Sequence, residues 1–278
     1  MERFSDNEIV LLLTATVNSQ WAHYNNVQKP ELRLEQYVTA IRWYLEHTPF
    51  RIVVGENSGC KDLKDHFEPE FQKRIELICF VETNTTRNAG YNEMLILHRI
   101  KDESKFIEKS SLVFKITGRL IVRNIMSHVR QLRNKQGDFF AAHLFRNLLY
   151  IDSRFFAFTT SKYDEILALE DECCAIHWDD VKAGKCKNGE NGKYVDFEST
   201  IGAVIKKSLY KEIDSFYYLR NPFIISGVEG FYGKRYKDDF IFRIKAYVKS
   251  FMWYLDWHLL VKPSIKKQST VGSLLLFL

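Results

Sequence analysis

Phe50-Arg51-Ile52-Val53-Val54-Gly55-Glu56-Asn57-Ser58-Gly59 is a short apolar run that breaks abruptly into small and polar residues. The β-branched Ile52, Val53 and Val54 read as a strand, and the Gly-Glu-Asn-Ser-Gly that follows reads as a turn. The same punctuation recurs on both sides of it. Upstream, Ile9 to Thr14 is an apolar run of strand length that ends in Thr14-Ala15-Thr16. Between the two runs, residues 31–47 place Leu34, Tyr37, Val38, Ile41, Tyr44 and Leu45 at helical spacing, and Pro49 stops that helix. Downstream, residues 62–73 read as a short helix or loop, and Ile75 to Phe80 as a third strand. Asn88 to Ile100 reads as a helix opened by Asn88 and Gly90. Ser111 to Ile116 is a fourth strand, closed by Thr117-Gly118-Arg119. The order β-α-β-α-β-α-β predicts helices crossing over a largely parallel sheet, a doubly wound α/β half spanning residues 1–125.

The rest of the chain is less regular. Leu148 to Ile151 and Arg154 to Phe158 read as strand material around Asp152-Ser153. Residues 182–194 (AGKCKNGENGK within them) read as a mobile loop, and Phe197 to Lys207 as a helix. Residues 237–261 read as a long helix carrying Tyr247, Phe251, Trp253, Tyr254 and Trp257, with Pro263 ending it. Three glycines and several aromatics crowd Ser226 to Gly233, followed by Lys234, Arg235 and Tyr236. This patch suits a loop closing over a sugar or diphosphate, or a plain turn before the last helix.

Composition limits the function. The 278 residues are 46% hydrophobic and 14% aromatic, which excludes a disordered chain. Forty Lys plus Arg against 35 Asp plus Glu give a net charge of only +5, with the signs interspersed. That is no nucleic-acid footprint. The apolar run at Ile9 to Leu13 is too short for a signal-peptide core and has acids before it. No uncharged run approaches the roughly 20 residues of a membrane span. Five cysteines, with Cys173 and Cys174 adjacent, fit reduced thiols. Cys173, Cys174, His177 and Cys186 match no common zinc spacing.

In an open α/β sheet the ligand crevice lies beyond the carboxyl ends of the strands. The segments there are Thr14-Ala15-Thr16, Gly55 to Ser58, Thr83 to Tyr91, and Lys115 to Arg119. There is no G-x-G-x-x-G after the first strand, no P-loop and no G-x-S-x-G elbow. The four segments suit a nucleotide instead. Glu56 can accept from ribose hydroxyls or an imide N–H, with Asn57 beside it, and Asn88 and Gly90 let backbone approach a base, with Tyr91 beside them.

Val53 to Gly59 resembles the VVDNGS turn of GT-A-fold, nucleotide-sugar-dependent glycosyltransferases. Thr86-Arg87-Asn88-Ala89-Gly90-Tyr91, followed by Glu93, is similar to their N-x-G-x-x-x-A nucleotide loop. Lys115-Ile116-Thr117-Gly118-Arg119 falls where that fold carries its metal-binding D-x-D, and a K-x-T-G-R there resembles a bacterial group of capsule and O-antigen transferases. The resemblance covers roughly residues 8–240. It implies a GT-A-like, mostly parallel sheet flanked by helices, with residues 1–236 as catalytic domain (1–125 nucleotide-binding, 126–236 acceptor-binding) and 237–278 as a C-terminal helix and tail.

The resemblance also implies a function. A sugar would move from a nucleoside diphosphate donor, UDP favoured, to a glycan or lipid-linked acceptor in surface-polysaccharide assembly, with inversion favoured. Thr14, Ala15, Thr16, Glu56, Asn57, Asn88, Gly90 and Tyr91 would hold the nucleoside. Lys115, Thr117, Gly118, Arg119, Arg154, Gly230 and Arg235 would face the diphosphate and sugar. Fixed cations Lys115 and Arg119 would replace a cofactor ion, so no metal is expected. Asp152 is the rival, as a displaced Mn or Mg ligand or a sugar contact. The pairs Asp179-Asp180 and Asp238-Asp239 read as surface acids. Glu198, with Asp196 in reserve, would deprotonate the acceptor, although acids here also suit a helix N-terminus. The basic residues Lys245, Lys249, Lys262, Lys266 and Lys267, set among aromatics, suit an interfacial helix at the cytoplasmic face of the inner membrane. The alternatives are a nucleotidyltransferase or a non-catalytic nucleotide-binding scaffold on a similar sheet.

Overall fold

The computed structural model describes residues 3–18, 29–84, 86–143, 150–228, 236 and 239–265. A seven-stranded sheet organises them. Its first four strands are β1 (Ile9–Ala15), β2 (Arg51–Glu56), β3 (Ile75–Cys79) and β4 (Leu112–Thr117), all mutually parallel. After the short β5 (Leu120–Val122) come β6 (Phe140–Ala142), β7 (Phe155–Thr159) and β8 (Phe216–Tyr218). The sheet order is β3-β2-β1-β4-β7-β6-β8, and only β7 runs against the rest. β5 pairs separately with β9 (Ile225–Gly227). The expected mostly parallel α/β sheet, flanked by helices and followed by a C-terminal helix, is what forms.

β1 sits centrally and all seven of its residues are buried. A strand covered on both faces carries no polar alternation, which is why it reads as an unbroken apolar run. Ile9, Leu11 and Leu13 pack with Tyr37, Ile41 and Tyr44 of the helix Pro30–His47. Val10 and Leu12 belong to the opposite core, with Met94, Leu97 and Ile100 of the helix Ala89–Glu103 and Ile201 and Ile205 of the helix Phe197–Lys211. Burial of side chains this size contributes roughly 1.5–3 kcal/mol each.

Several boundaries differ from expectation. Residues 148 and 149 lie outside the described residues, Tyr150 is irregular and Ile151 makes a single bridge. The strand of this region is β6 instead, three residues too short to show a period. Residues 62–73 form two short turns of helix, Lys61–His66 and Pro69–Gln72. In 182–194, positive φ at Gly184, Gly189, Asn191 and Gly192 builds successive tight turns. The last α-helix begins at Phe240, not 237, because the Asp239 side chain accepts the Phe242 N–H at 2.8 Å. Asp239 is thus a helix cap. Nor does Pro263 end this helix. The turn Trp257–Val261 is a π-turn, and helical backbone continues through Pro263 to Ile265. The wider turn directly before Pro263 relaxes the i→i−4 ladder that a proline ring would otherwise strike.

Candidate functional site

Parallel register brings the carboxyl ends of the strands to one edge. Ala15 pairs with Glu56, Glu56 with Cys79, and Thr14 with Thr117. What each polar residue does there depends on which way its side chain turns.

Glu56 turns inward. Its fully buried carboxylate accepts the backbone N–H groups of Val17 (3.0 Å), Ser58 (3.0 Å) and Cys60 (2.7 Å), the Ser58 hydroxyl and the Cys79 thiol. It holds two loops together, and with both oxygens occupied it does not present an acceptor to ribose. Burial, then neighbouring Asp62 and to a lesser degree Glu56, push the Cys60 thiol up to about 12, and burial followed by the Glu56 charge pushes the Cys79 thiol to about 11. Asn57 accepts from the Thr16 hydroxyl at 2.7 Å, while its buried Nδ2 has no hydrogen-bond partner. Arg33, 5% exposed, donates from Nε to the carbonyls of Thr16 (2.9 Å) and Val17 (3.2 Å), and the Thr16 N–H donates to the Tyr37 hydroxyl at 3.0 Å.

Lys115 is also withdrawn. On β4 it alternates with Phe114 and Ile116, so it points into the opposite layer and is 0% exposed. Its ammonium pairs with Glu93, donates to the Ser153 carbonyl at 2.7 Å and lies over the rings of Phe156 and Phe197. Glu93 also accepts from the Thr14 hydroxyl at 2.8 Å. Lys115 therefore locks β1, β4 and the 152–154 turn together and does not face a diphosphate. Removing Glu93 would strand the buried ammonium without its counter-charge.

Arg119 meets the expectation better. Its Nε and Nη1 are buried and have no hydrogen-bond partner among the described residues. Burial holds its pKa below the ordinary arginine value and nearby Arg33 pushes the same way, opposed by Tyr37, Tyr236 and Glu93. Neither guanidinium has a carboxylate in salt-bridge contact among the described residues. The approach is tight: a Cβ on Gly118 would lie 2.7 Å from the Thr14 carbonyl and 3.2 Å from the Tyr37 ring, so only glycine lets this turn close on β1. The Gly118 N–H donates to that carbonyl at 2.9 Å, and the Thr117 N–H to the Arg154 carbonyl at 3.0 Å.

Across the turn, Arg154 holds Asp152 in a two-pronged pair, with Nε to Oδ1 at 2.7 Å, and stacks over Tyr236 at 5.3 Å. Burial opposes its charge, but Asp152 and Tyr236 outweigh that and raise its pKa. Asp152 is thereby engaged. No group of three or more His, Cys, Asp or Glu among the described residues is arranged to hold a metal. Cys173 and Cys174 are buried thiols 3.6 Å apart.

Asp196 and Glu198 differ in kind. Asp196 caps the helix Phe197–Lys211, accepting the Ser199 N–H at 2.8 Å and the Tyr150 hydroxyl. Glu198 accepts the Ser153 hydroxyl at 2.6 Å. Burial raises its pKa, and Asp196 and Glu93 add to the rise. A carboxylate so shifted is the stronger proton acceptor. Asn88 caps the helix Ala89–Glu103 through the Gly90 N–H (2.8 Å) and donates to the Val195 carbonyl at 2.6 Å. Gly90 packs so closely on Phe197 that a Cβ would lie 2.9 Å from the Phe197 Cβ. Both join the two helices rather than turning backbone towards a base. Tyr91 lies under Arg87 at 4.2 Å. Gly230 and Arg235 lie outside the described residues.

The edge thus gathers Thr14 to Thr16, Asn57, Arg119, Asp152 to Arg154 and Glu198. Glu93, Ser153 and Tyr236, named in the sequence only beside other candidates, join them, as do Arg33 and Tyr37, which were not singled out as site residues. Arg33 and Tyr37 had a readable signal: an arginine four residues before a tyrosine, on the apolar stripe of the helix.

No family model matches the chain, and no curated protein does. Among solved structures it is similar to 4-diphosphocytidyl-2C-methyl-D-erythritol synthase from Anaerococcus prevotii DSM 20548. The match has 13% identity and a TM-score of 0.40, and covers 88% of this chain and 96% of that one. It is also similar to galactosyltransferase LgtC in complex with donor and acceptor sugar analogs, at 11% identity and a TM-score of 0.42 over 75% of this chain and 72% of that one. Likenesses this distant assign no chemistry, so the functional reading rests on the side chains.

Proposed function

We propose that this chain is a glycosyltransferase that moves a sugar from a nucleoside diphosphate donor, UDP-sugar favoured, to a glycan or lipid-linked acceptor in bacterial surface-polysaccharide assembly. One observation carries the reading: the half-buried Arg119, whose buried Nε and Nη1 find no hydrogen-bond partner among the described residues, stands near Arg33 at the carboxyl edge of a parallel sheet. An uncompensated cation there is stabilised by an anion, and a diphosphate supplies one. In this reading Arg119 stabilises the departing diphosphate and Thr14 to Thr16 and Asn57 line the nucleoside. Glu198 takes the proton of the acceptor hydroxyl as that oxygen attacks the anomeric carbon, giving inversion. Lys115 acts at one remove, by fixing the turn that carries Ser153.

Transfer from a panel of nucleoside diphosphate sugars, with and without EDTA, tests this. Turnover that survives EDTA is expected. Turnover only with Mn or Mg would assign the diphosphate to a metal and sink the fixed-cation reading. Tight nucleotide binding without transfer from any donor would sink the catalytic one.

A further inference from the structure

The helix Phe240–Asp256 is anchored along one side only. Ser250 donates to the Arg220 carbonyl at 3.0 Å, and just beyond the α-helix Trp257 is buried against Phe216 and Tyr218, with Ile265 buried further on. At about 100° per residue, Phe240, Ile244, Val248, Phe251, Leu255 and their neighbours Ile241, Tyr247 and Met252 share the opposite arc. Their exposures run from 38% at Leu255 to 76% at Phe240. Eight large apolar side chains roughly half exposed amount to several hundred Å², above what monomers ordinarily leave bare. The sequence suggests an interfacial helix carrying both Trp257 and the aromatics Tyr247 and Phe251. The fold divides it: Trp257 faces the core, while Tyr247 and Phe251 face out.

We infer that this arc lies in the interface of an anionic lipid bilayer, with the helix axis in the membrane plane. Charge selects this occupant. Lys245 and Lys249 stand together at one margin of the arc, where their heads can reach phosphate while their stems lie on the apolar surface. Together they border a shallow cavity of about 310 Å³ with Ile244, Val248, Met252, Trp253 and Asp256. Two lysines against the single Asp256 leave this margin net positive, so a second copy apposed through the same face would set one net positive margin against another. No helix among the described residues is long and apolar enough to cross a membrane, so the contact is peripheral. The inference does not depend on sugar transfer and is tested without a nucleotide.

The full chain is floated with vesicles of neutral phosphatidylcholine, and of phosphatidylcholine with about a third of the anionic lipid phosphatidylglycerol. Binding to the anionic vesicles, weakened by salt, is expected. Lys245→Gln with Lys249→Gln lowers it about 25-fold, at roughly fivefold per lysine near the surface. Ile244→Ser with Phe251→Ser and Leu255→Ser abolishes it. Unchanged circular dichroism checks that these exposed substitutions leave the fold intact; if one variant unfolds, Val248→Ser with Met252→Ser replaces it. Equal binding of the chain to neutral vesicles, undiminished binding by the apolar variant, or a stable dimer in sedimentation that the apolar substitutions dissociate would each overturn the inference.

Discussion

Arg119→Met separates a ligand-binding cation from a structural one. Methionine keeps the apolar stem and removes the guanidinium. Two of the lost donor positions, Nε and Nη1, have no hydrogen-bond partner among the described residues, so no bond made there by folding is lost. Each charge-assisted hydrogen bond to a diphosphate is worth about 1.5–3 kcal/mol, so two give about 3 kcal/mol at the lower end. That is a loss of roughly a hundredfold or more in affinity. Stability moves the other way. Relief of a buried unpaired donor is worth about 1–3 kcal/mol, a rise of a few degrees in Tm for a chain of this size. Calorimetric titration with UDP and GDP, and a thermal scan of the unliganded protein, read both. Weakened binding with a raised or unchanged Tm is expected. If affinity for every nucleoside diphosphate stays within about threefold, or Tm falls by several degrees, Arg119 is not an anion ligand held in waiting.

Lys115→Met should behave oppositely, destabilising the fold by about 3 kcal/mol in urea because the half-buried Glu93 and the Ser153 carbonyl both lose their cation; adding Glu93→Leu should recover part of that. Glu198→Gln should abolish transfer while leaving nucleotide affinity intact. In the unsubstituted enzyme the acidic limb of kcat/KM should lie above the ordinary carboxylate range, since Glu198 must lose its proton and its pKa is raised. The same raised pKa means that the native state binds more protons in that window, so the Glu198 contribution to stability falls as pH rises through it. His128 and His143 are buried, which holds their pKa values down at about 3 and about 4, against 6.5 unperturbed. Unfolding therefore takes up protons below pH 6.5, and stability at pH 5 should be lower than at pH 7 by about 2 kcal/mol per histidine. A urea midpoint unchanged between those pH values would refute it.

How legible each part was follows from its geometry. The four parallel strands and the helices between them could be read because double burial leaves unbroken apolar runs and one-sided burial leaves a 3.6-residue period. Such patterns repeat along the chain and need no knowledge of distant residues. β6, β8 and β9, three residues each, have no room for a pattern, and the π-turn that carries the last helix past Pro263 exists because packing of Trp257 and Ile265 favours continuing the helix. The crevice segments were likewise placed by strand order alone. What sequence could not decide was which polar side chains turn towards the crevice. Lys115 and Glu56 carry the charges a nucleotide site wants, yet both close on partners inside the protein: Glu93 for one, three backbone N–H groups for the other. Arg119 is left without such a partner. A residue's type is written in the sequence, but the low-dielectric interior decides whether its charge is neutralised at home or left for a ligand, and that depends on neighbours brought together only by the fold.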